Sequence, residues 1–255
     1  MKISATIITL NEESNIRAAC ESVAWADEIV VVDSNSTDTT RDIAAECGAR
    51  VIVNAWPGFG AQKQFAADQA KHDWIFSLDA DERVSDELRE SIQGLGDKPQ
   101  ADGYLISRRT FYQNRWIRGG GWYPDRQLRL FNRTKGHWKQ RHIHESVTMN
   151  PDARVGILNG DLLHYTSPSA AHHHRMIGER YAPLAAQQMF EEGRRTSVAG
   201  VASAGPSAFV RSFILKGGFR DGFAGFTIAS FAAHHAFLKH LLLWEKQATD
   251  KHGPR

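Results

Sequence analysis

Two aspartates separated by one residue, Asp79 and Asp81, follow the short apolar run Trp74–Leu78. A continuous apolar run of this length favours a strand buried on both faces, and both carboxylates then lie at its carboxyl end. Carboxylates two residues apart in a turn can bind one hard cation such as Mg²⁺ or Mn²⁺, whose remaining ligands are water and substrate phosphate. The alternative is an acidic first turn of the next helix, where the helix dipole stabilises negative charge.

Two further polar motifs fall at predicted strand ends, namely TLNEE at residues 9–13 and DSNSTD at residues 33–38. In open parallel sheets, ligands bind beyond the carboxyl ends of the strands. The three motifs together therefore predict a ligand site along one edge of a sheet. The chain lacks a GxGxxG motif after its first strand and a GxxxxGK[ST] loop, which argues against a dinucleotide-binding Rossmann fold and a P-loop enzyme.

The first hundred residues alternate between strand and helix patterns, which predicts an α/β fold with a mostly parallel sheet and helices on both faces. The predicted strands are Ile3–Thr9, Glu28–Val32, Arg50–Val53 and Trp74–Leu78, and the predicted helices are Ser14–Val23, Thr39–Cys47, Ala61–Lys71 and Ser85–Leu95.

The pattern changes after Pro99, where regular crossover helices disappear. The predictions for this part are strands over Gly103–Arg108 and Gln127–Phe131, a helical segment over Pro168–Glu192, a mobile small-residue segment over Arg194–Pro206, and two amphipathic helices within Phe209–Lys246, separated at Gly217-Gly218.

The segments TIITLNEE, VVDSNSTDTT, GFGAQKQFA and SLDADE occur in an order and spacing that resemble the family-2 glycosyltransferases of the GT-A fold, over roughly Lys2–Thr166. The segment GWYPDRQLRLF and the pair His144-Glu145 resemble the lipopolysaccharide-core β-glucosyltransferase branch. The resemblance implies an inverting transfer of a hexose, expected to be glucose, from a UDP-sugar to a lipopolysaccharide inner-core acceptor. Polyprenyl phosphate or another membrane-linked glycan is the alternative acceptor.

Matching these motifs residue by residue implies roles for individual side chains. The residues implied in nucleotide-sugar binding are Thr9, Asn11, Glu12, Asp33, Gln62, Lys63, Asp79 and Ala80. The implied cofactor is Mn²⁺ or Mg²⁺, with Asp81 as the first candidate for a direct ligand and Asp79 as the second. His164 is a candidate third ligand, because imidazole is acceptable to Mn²⁺, although a structural role is equally compatible with its position.

Inverting transfer needs one carboxylate as general base for the acceptor hydroxyl. Glu145 is the first candidate and Asp125 the second; for Glu145 the alternative is an exposed glutamate at a strand end. His142 and His144 lie near it without an HExxH motif, which disfavours a zinc protease.

The stretch Arg108–Arg141 contains ten lysines and arginines against a single acid, Asp125, with aromatic residues interleaved. Such a stretch suits single-stranded nucleic acid or a phosphorylated sugar held by arginine; a solvated basic face is the third option. The nearby acidic turn favours the anionic glycan, and Trp122 and Arg126 are the first candidates for contact with acceptor or diphosphate.

The composition is that of a globular chain, with 42% hydrophobic residues and a formal net charge of +2, and it argues against a general nucleic-acid binder. The predicted organisation is a catalytic domain over 1–168, divided into a nucleotide-sugar half (1–98) and an acceptor half (99–168), and a helical extension over 169–255. Aromatic and cationic residues in the extension predict contact with the inner membrane surface; packing on the catalytic domain or in a homodimer is the alternative.

Cys20 and Cys47, outside any CxxC pair, and an N-terminus without signal-peptide features predict a cytoplasmic protein. A non-catalytic membrane or glycan adaptor is the hypothesis from another class of function. The retained acids Asp33, Asp79 and Asp81 argue against it.

Overall fold

The computed structural model describes residues 1–139, 145–166 and 169–252. Contacts divide the chain into two compact units. The sheet unit comprises Met1–Arg109 and Pro124–Tyr165, and the helical unit comprises Thr110–Tyr123 and Thr166–Arg255. The segment around Trp122 therefore belongs with the C-terminal helices, although it lies between two strands of the sheet unit in sequence.

The first half of the sheet is parallel. Its strands are β1 (Ile3–Thr9), β2 (Glu28–Asp33), β3 (Arg50–Val53) and β4 (Trp74–Asp79), arranged in the order β3-β2-β1-β4. All seven residues of β1 are buried, because this central strand is paired on both sides and covered on both faces. The parallel register aligns Thr9 with Asp33 and Ile8 with Asp79, so the predicted polar motifs do meet at one edge.

Antiparallel strands extend the sheet beyond β4, so the complete sheet is mixed. They are β5 (Glu82–Val84), β6 (Gly103–Tyr112), β8 (Asp125–Asn132) and β11 (Val155–Tyr165), in the order β4-β8-β6-β11-β5, with β7 (Arg115–Trp116) paired to the end of β6. A separate two-stranded ladder joins β9 (Gly136–Trp138) to β10 (Val147–Met149). Among these strands, the sequence patterns had indicated only β6 and β8.

Four helices connect the strands of the sheet unit. They are α1 (Ile16–Ser22), α2 (Thr40–Glu46), α3 (Phe59–Gln69) and α4 (Asp86–Gln93). Helix α4 illustrates why they form where they do: the Ser85 hydroxyl accepts a hydrogen bond from Leu88 N at 3.2 Å and caps the helix, while Leu88 and Ile92 face the core. The predicted helices are confirmed with boundaries shifted by one to two residues.

The helical unit contains α5 (Ala170–Arg175), α6 (Ala182–Glu191), α7 (Val198–Val210) and α8 (Gly222–His252). The prediction of a mobile segment over Arg194–Pro206 is wrong, because most of it forms α7. The Ser197 hydroxyl caps this helix by accepting from Gly200 N at 3.2 Å. The small side chains allow close packing: a Cβ on Gly205 would lie 3.4 Å from the Ala233 carbonyl oxygen of α8. Tertiary packing here outweighs the weak helix propensity of glycine.

Helix α7 continues as a π-helical segment, Arg211–Leu215, and a 3-10 segment, Gly218–Asp221, leads into α8. The predicted separation at Gly217-Gly218 is therefore confirmed. By length and composition alone, Val198–Leu215 is apolar enough to cross a membrane, with a mean hydropathy of 1.4, and 17% of it is buried. On α8, the large apolar side chains of Phe223, Phe226, Phe237 and Trp244 are exposed.

Candidate active site

A cavity of 440 Å³ opens at the sheet edge where β1 and β4 end. Its polar lining is Thr9, Glu12, Asp79, Asp81 and His164, and its apolar lining is Ile8, Leu10, Trp56, Phe59 and Ala80. Six of the predicted site residues therefore surround one space, although they come from three separate parts of the sequence. The rings of Trp56 and Phe59 meet edge to face with centroids 4.7 Å apart and form an aromatic wall that sequence reasoning missed.

Asp79, the first acid of the turn, is held by two buried cations. Its Oδ1 lies 2.8 Å from Lys63 Nζ, and its Oδ2 lies 2.9 Å from Arg129 Nη2. Burial alone would raise the pKa of Asp79, but the charges of Lys63 and Arg129 outweigh it and hold the pKa well below its ordinary value. Asp79 is therefore an ionised anchor of the site, with both carboxylate oxygens engaged.

Glu82 extends this network on the buried side of the turn. Its carboxylate is fully buried, accepts a hydrogen bond from Asp79 N at 3.0 Å, and lies 3.1 Å from Arg129 Nη2 and 3.7 Å from Arg108 Nη1. Burial alone would lower the pKa of Arg129, but the charges of Glu82 and Asp79 outweigh it and raise the pKa of Arg129 above its ordinary value. A buried charge must be paired, so Glu82 fixes the conformation of the acidic turn.

Asp81, the second acid of the turn, points to a different partner. Its Oδ2 lies 3.2 Å from His164 Nε2. Antiparallel pairing of β5 with β11 aligns His164 with Glu82, and Tyr165 N donates to the Asp81 carbonyl oxygen at 2.9 Å. Asp81 and His164, the two candidate metal ligands, therefore lie side by side although 83 positions separate them in the sequence.

Glu12 lies on the same cavity, close enough to Asp81 for the two carboxylates to repel. Burial raises the pKa of Glu12, a hydrogen bond from Asn15 opposes that rise, and the charges of Asp81 and Asp38 add to it. Within the described ranges, neither Glu12 nor Asp81 is paired with a lysine or arginine. Carboxylates in this situation gain from a bound cation.

Asn11 and Asp33 brace the loops beside the cavity. The Asn11 carboxamide oxygen accepts from Thr37 N at 2.8 Å, and Asn11 N donates to Ser36 Oγ at 2.8 Å. Asp33 is fully buried and accepts from Ser36 N at 2.8 Å and from the Ser36 hydroxyl. These bonds fix the TLNEE and DSNSTD loops against each other. A role of Asp33 in nucleotide-sugar binding stays a prediction.

Thr9 and Gln62 are two buried polar residues near the same edge. The Thr9 hydroxyl is buried and lines the cavity, and it has no hydrogen-bond partner among the residues that the structure describes. Gln62, in the first turn of α3, donates to Ser34 Oγ at 3.0 Å and accepts from Asn54 Nδ2 at 2.7 Å. A buried polar atom without a partner is costly, so the Thr9 hydroxyl is suited to a ligand that enters the cavity.

Glu145 and Asp125, the two candidates for the general base, differ in how strongly they are held. Arg108 donates to Asp125 Oδ2 from Nη2 at 2.7 Å and from Nε at 2.9 Å, and Gln127 donates to Oδ1 at 2.7 Å. Within the described part of the chain, Glu145 has one ion pair, between its Oε1 and Lys63 Nζ at 3.2 Å. His142 and His144 lie outside the described residues.

The two acceptor candidates fall in different units. Arg126 is an exposed residue of β8 in the sheet unit, paired in register with Ser107 of β6. Trp122 belongs to the helical unit, where it packs against Tyr112 with ring centroids 5.5 Å apart. In that unit the preceding Gly119 N donates to buried Asp221 at 2.8 Å, and Gly120 N donates to the Lys216 carbonyl oxygen at 3.0 Å.

Sequence reasoning assigned no site role to Arg108, Arg129 or Glu82. A weak signal for Arg129 exists in the run Leu128-Arg129-Leu130-Phe131, where an arginine interrupts apolar residues of a strand. Such a residue is either on the solvent face or buried with a carboxylate partner, and only the antiparallel pairing of β8 with β4 shows that it is buried beside Asp79.

Comparison with known proteins defines the class. The family model described as "Glycosyl transferase family 2" matches residues 4–151 of this chain. The chain therefore belongs to family 2 of the glycosyltransferases, and its α/β architecture is the GT-A fold. The resemblance seen in the sequence motifs is confirmed.

Particular relatives are similar over nearly the whole chain. The lipopolysaccharide core biosynthesis glycosyltransferase LpsC of Rhizobium meliloti (strain 1021) is 33% identical over 261 residues, covering 97% of this chain and 94% of that protein. An uncharacterized glycosyltransferase of Rickettsia bellii (strain RML369-C) is 33% identical, covering 93% of this chain and 84% of its own length. Among solved structures, S. aureus TarS 1-349 in complex with UDP is 16% identical, covering 98% of this chain and 92% of that one, with a TM-score of 0.49.

Proposed function

We propose that this glycosyltransferase is an inverting, divalent-cation-dependent enzyme that moves a hexose, glucose in the first instance, from a UDP-sugar to a hydroxyl of the lipopolysaccharide inner core. The observation that carries the proposal is the cavity at the sheet edge, where Glu12 and Asp81 face one space and no lysine or arginine of the described residues pairs with either carboxylate. The similarity to LpsC, a lipopolysaccharide core biosynthesis glycosyltransferase, supports the choice of acceptor.

The residues present fit Mn²⁺ or Mg²⁺. Asp81 and His164 bring a carboxylate oxygen and an imidazole nitrogen within 3.2 Å of each other beside the cavity. No group of three potential His, Cys, Asp or Glu ligands occurs among the described residues, which is compatible with a cation that keeps positions for water and substrate phosphate. When bound, such a cation neutralises the diphosphate leaving group as a Lewis acid. Asp79 is a less suitable ligand than Asp81, because Lys63 and Arg129 occupy its oxygens.

The nucleoside would enter the remaining part of the cavity. The Thr9 hydroxyl offers a hydrogen bond that no described residue uses, and the aromatic wall of Trp56 and Phe59 offers a flat apolar face to a base. Asn11, Asp33 and Gln62 support this edge through the loops they brace. Ala80 lines the cavity between the two acids and leaves room for the donor.

Glu145 is the better general base of the two candidates. A base needs a free lone pair aimed at the acceptor hydroxyl, and Asp125 has both carboxylate oxygens engaged by Arg108 and Gln127. Glu145 has only Oε1 engaged among the described contacts. Lys63 touches both Asp79 and Glu145, so it positions the base relative to the acidic turn. Trp122 and Arg126 are assigned to the acceptor.

The acceptor is attached to lipid, so we place the enzyme at the cytoplasmic face of the inner membrane, with residues 1–168 catalytic and residues 169–255 as the helical extension. A polyprenyl phosphate acceptor is the alternative that the first experiment separates. Transfer from a panel of nucleotide sugars is measured onto delipidated core oligosaccharide and onto polyprenyl phosphate, with and without Mn²⁺. Transfer onto the oligosaccharide from UDP-glucose supports the proposal, and transfer onto polyprenyl phosphate alone overturns it.

Two variants test the assigned roles. Asp81→Asn is expected to abolish Mn²⁺-dependent UDP binding in calorimetry, whereas Asp86→Asn, on the exposed face of α4, is expected to leave it unchanged. Unaltered binding by the first variant would remove Asp81 from the cation site.

Glu145→Gln is expected to keep UDP-sugar affinity and to lose at least about a hundredfold in turnover. Its matched control is Glu90→Gln, an exposed position of α4. Equal turnover in the two variants would transfer the base role to another carboxylate.

A further inference from the structure

The turn that joins α7 to α8 exposes large apolar side chains on consecutive segments of the helical unit. We name this set the apolar tip; it consists of Ile214, Leu215, Phe219, Phe223 and Phe226, which are 55%, 76%, 53%, 75% and 46% exposed. Phe226 packs on Phe223 with ring centroids 6.2 Å apart, and on Phe213 with centroids 6.1 Å apart. Because these three phenylalanine rings pack against one another, they form a continuous apolar surface.

Three cations, Arg211, Lys216 and Arg220, are exposed within the same turn. In the part of the chain that the structure describes, none of the three forms an ion pair with a carboxylate. The surrounding sequence is also depleted of acids, because Asp221 is the single acid between Glu192 and Glu245.

Asp221 does not offset these charges at the surface. It is 1% exposed, and its carboxylate accepts hydrogen bonds from Arg118 N at 3.0 Å and from Gly119 N at 2.8 Å. The exposed surface of the turn is therefore apolar at its centre and purely cationic among its charged groups.

We propose that the apolar tip inserts into the interface of an anionic phospholipid bilayer, with Arg211, Lys216 and Arg220 on the headgroup phosphates. Apolar and aromatic side chains flanked by lysine and arginine suit the boundary between acyl chains and headgroups. The inference deepens the proposed function by naming the surface that holds the enzyme beside a lipid-attached acceptor, and its membrane location rests on that proposal.

A second copy of this chain is a less suitable occupant. The usual symmetric dimer places the same patch of both copies face to face, so the three cations of one copy would oppose the same three of the other. Like charges brought together across an interface repel. A phospholipid surface supplies the opposite charge as well as the apolar phase.

The test is co-sedimentation of the full chain with phosphatidylcholine vesicles, with and without phosphatidylglycerol. The wild type is expected to bind the anionic vesicles and to be released by salt. Arg211→Gln/Lys216→Gln/Arg220→Gln is expected to weaken binding at least tenfold, since each cation near an anionic surface contributes roughly fivefold. Leu215→Ser/Phe223→Ser is expected to weaken binding to a similar extent on both kinds of vesicle.

The matched control is Val155→Ser/Ile157→Ser, which changes two apolar residues of β11 that are 46% and 55% exposed in the sheet unit. Equal loss in the control and in Leu215→Ser/Phe223→Ser would overturn the assignment of the tip, as would a wild type that ignores anionic vesicles. A concentration-dependent dimer in sedimentation velocity, dissolved by Leu215→Ser/Phe223→Ser, would assign the tip to a second copy instead.

Transfer onto a delipidated, soluble acceptor separates this inference from the proposed function. The tip variants are expected to retain that activity, because none of the substituted residues lies in the sheet unit that holds the cavity. Vesicle binding without any transferase activity would refute the proposed function and leave the docking surface standing. Transferase activity without vesicle binding would refute the docking surface and leave the proposed function standing.

Discussion

Replacing Lys63 by methionine is the most direct test of the charge network, because this lysine is buried and contacts two carboxylates. Its side chain is 1% exposed, lies 2.8 Å from Asp79 and 3.2 Å from Glu145, and sits over the Trp138 ring at 5.1 Å. Methionine keeps the volume and the contact with Trp138 but removes the charge. Removing one partner of a buried ion pair costs about 3–5 kcal/mol when the other is left uncompensated.

The expected cost here is smaller, since Asp79 keeps Arg129 and both carboxylates retain partial access to water, at 26% and 27% exposure. We expect Lys63→Met to lower the free energy of unfolding by about 2 kcal/mol. For a chain of this size that loss corresponds to a fall in Tm of about 4–8 °C. Thermal and urea denaturation of the purified full chain measure it.

Lys135→Met is the control for Lys63→Met. Lys135 forms an exposed ion pair with Asp152 at 3.0 Å, with the two side chains 39% and 68% exposed, and such pairs contribute less than about 1 kcal/mol. If Lys63→Met destabilises the protein no more than Lys135→Met does, the network around Asp79 is not a stabilising feature and Lys63 does not anchor the site.

Two further predictions concern the pH dependence of stability and the packing of a glycine. Because the pKa of Asp79 is lowered in the folded state, its stabilising contribution is complete above pH ~4 and is lost progressively as the pH falls from there towards the folded-state pKa. The free energy of unfolding, measured against pH, should therefore fall less steeply at acid pH in Asp79→Asn than in the wild type, and an identical fall would contradict the lowered pKa. Gly225→Ala should lower the stability of the helical unit by about 2 kcal/mol, because its Cβ would collide with the Gly218 carbonyl oxygen, whereas Gly178→Ala, with nothing within 4 Å of its added Cβ, should not; equal Tm values would show that the turn adapts.

The buried network separates two kinds of acid at the sheet edge. Arg129, Arg108 and Lys63 are matched against the carboxylates inside the sheet edge, whereas Glu12 and Asp81, on the cavity side, have no such partner among the described residues. The buried carboxylates are thus neutralised by cations, whereas the carboxylates that face the cavity keep their negative charge. Asp79 and Asp81, two residues apart in the sequence, therefore differ in role: Asp79 is held in the buried network, and Asp81 faces the cavity.

Local sequence patterns determined the first half of the fold and the position of the site. Strands β1 to β4 are continuous apolar runs, so their type follows from the chain itself, and parallel order brings their polar carboxyl ends to one edge. That is why Thr9, Glu12, Asp79 and Asp81 were predicted together and line one cavity.

Tertiary structure alone decided which residues complete the site. Only the antiparallel pairing of β4 with β8 shows that Arg129 contacts Asp79, and only the pairing of β5 with β11 brings His164, already a candidate from the sequence, beside Asp81. The same holds for α7, whose glycine-containing sequence is a helix because it packs closely on α8. Contacts between strands and helices that are distant in sequence depend on burying apolar surface and pairing charges across the whole fold. The hydrophobic periodicity of a single segment does not specify these contacts.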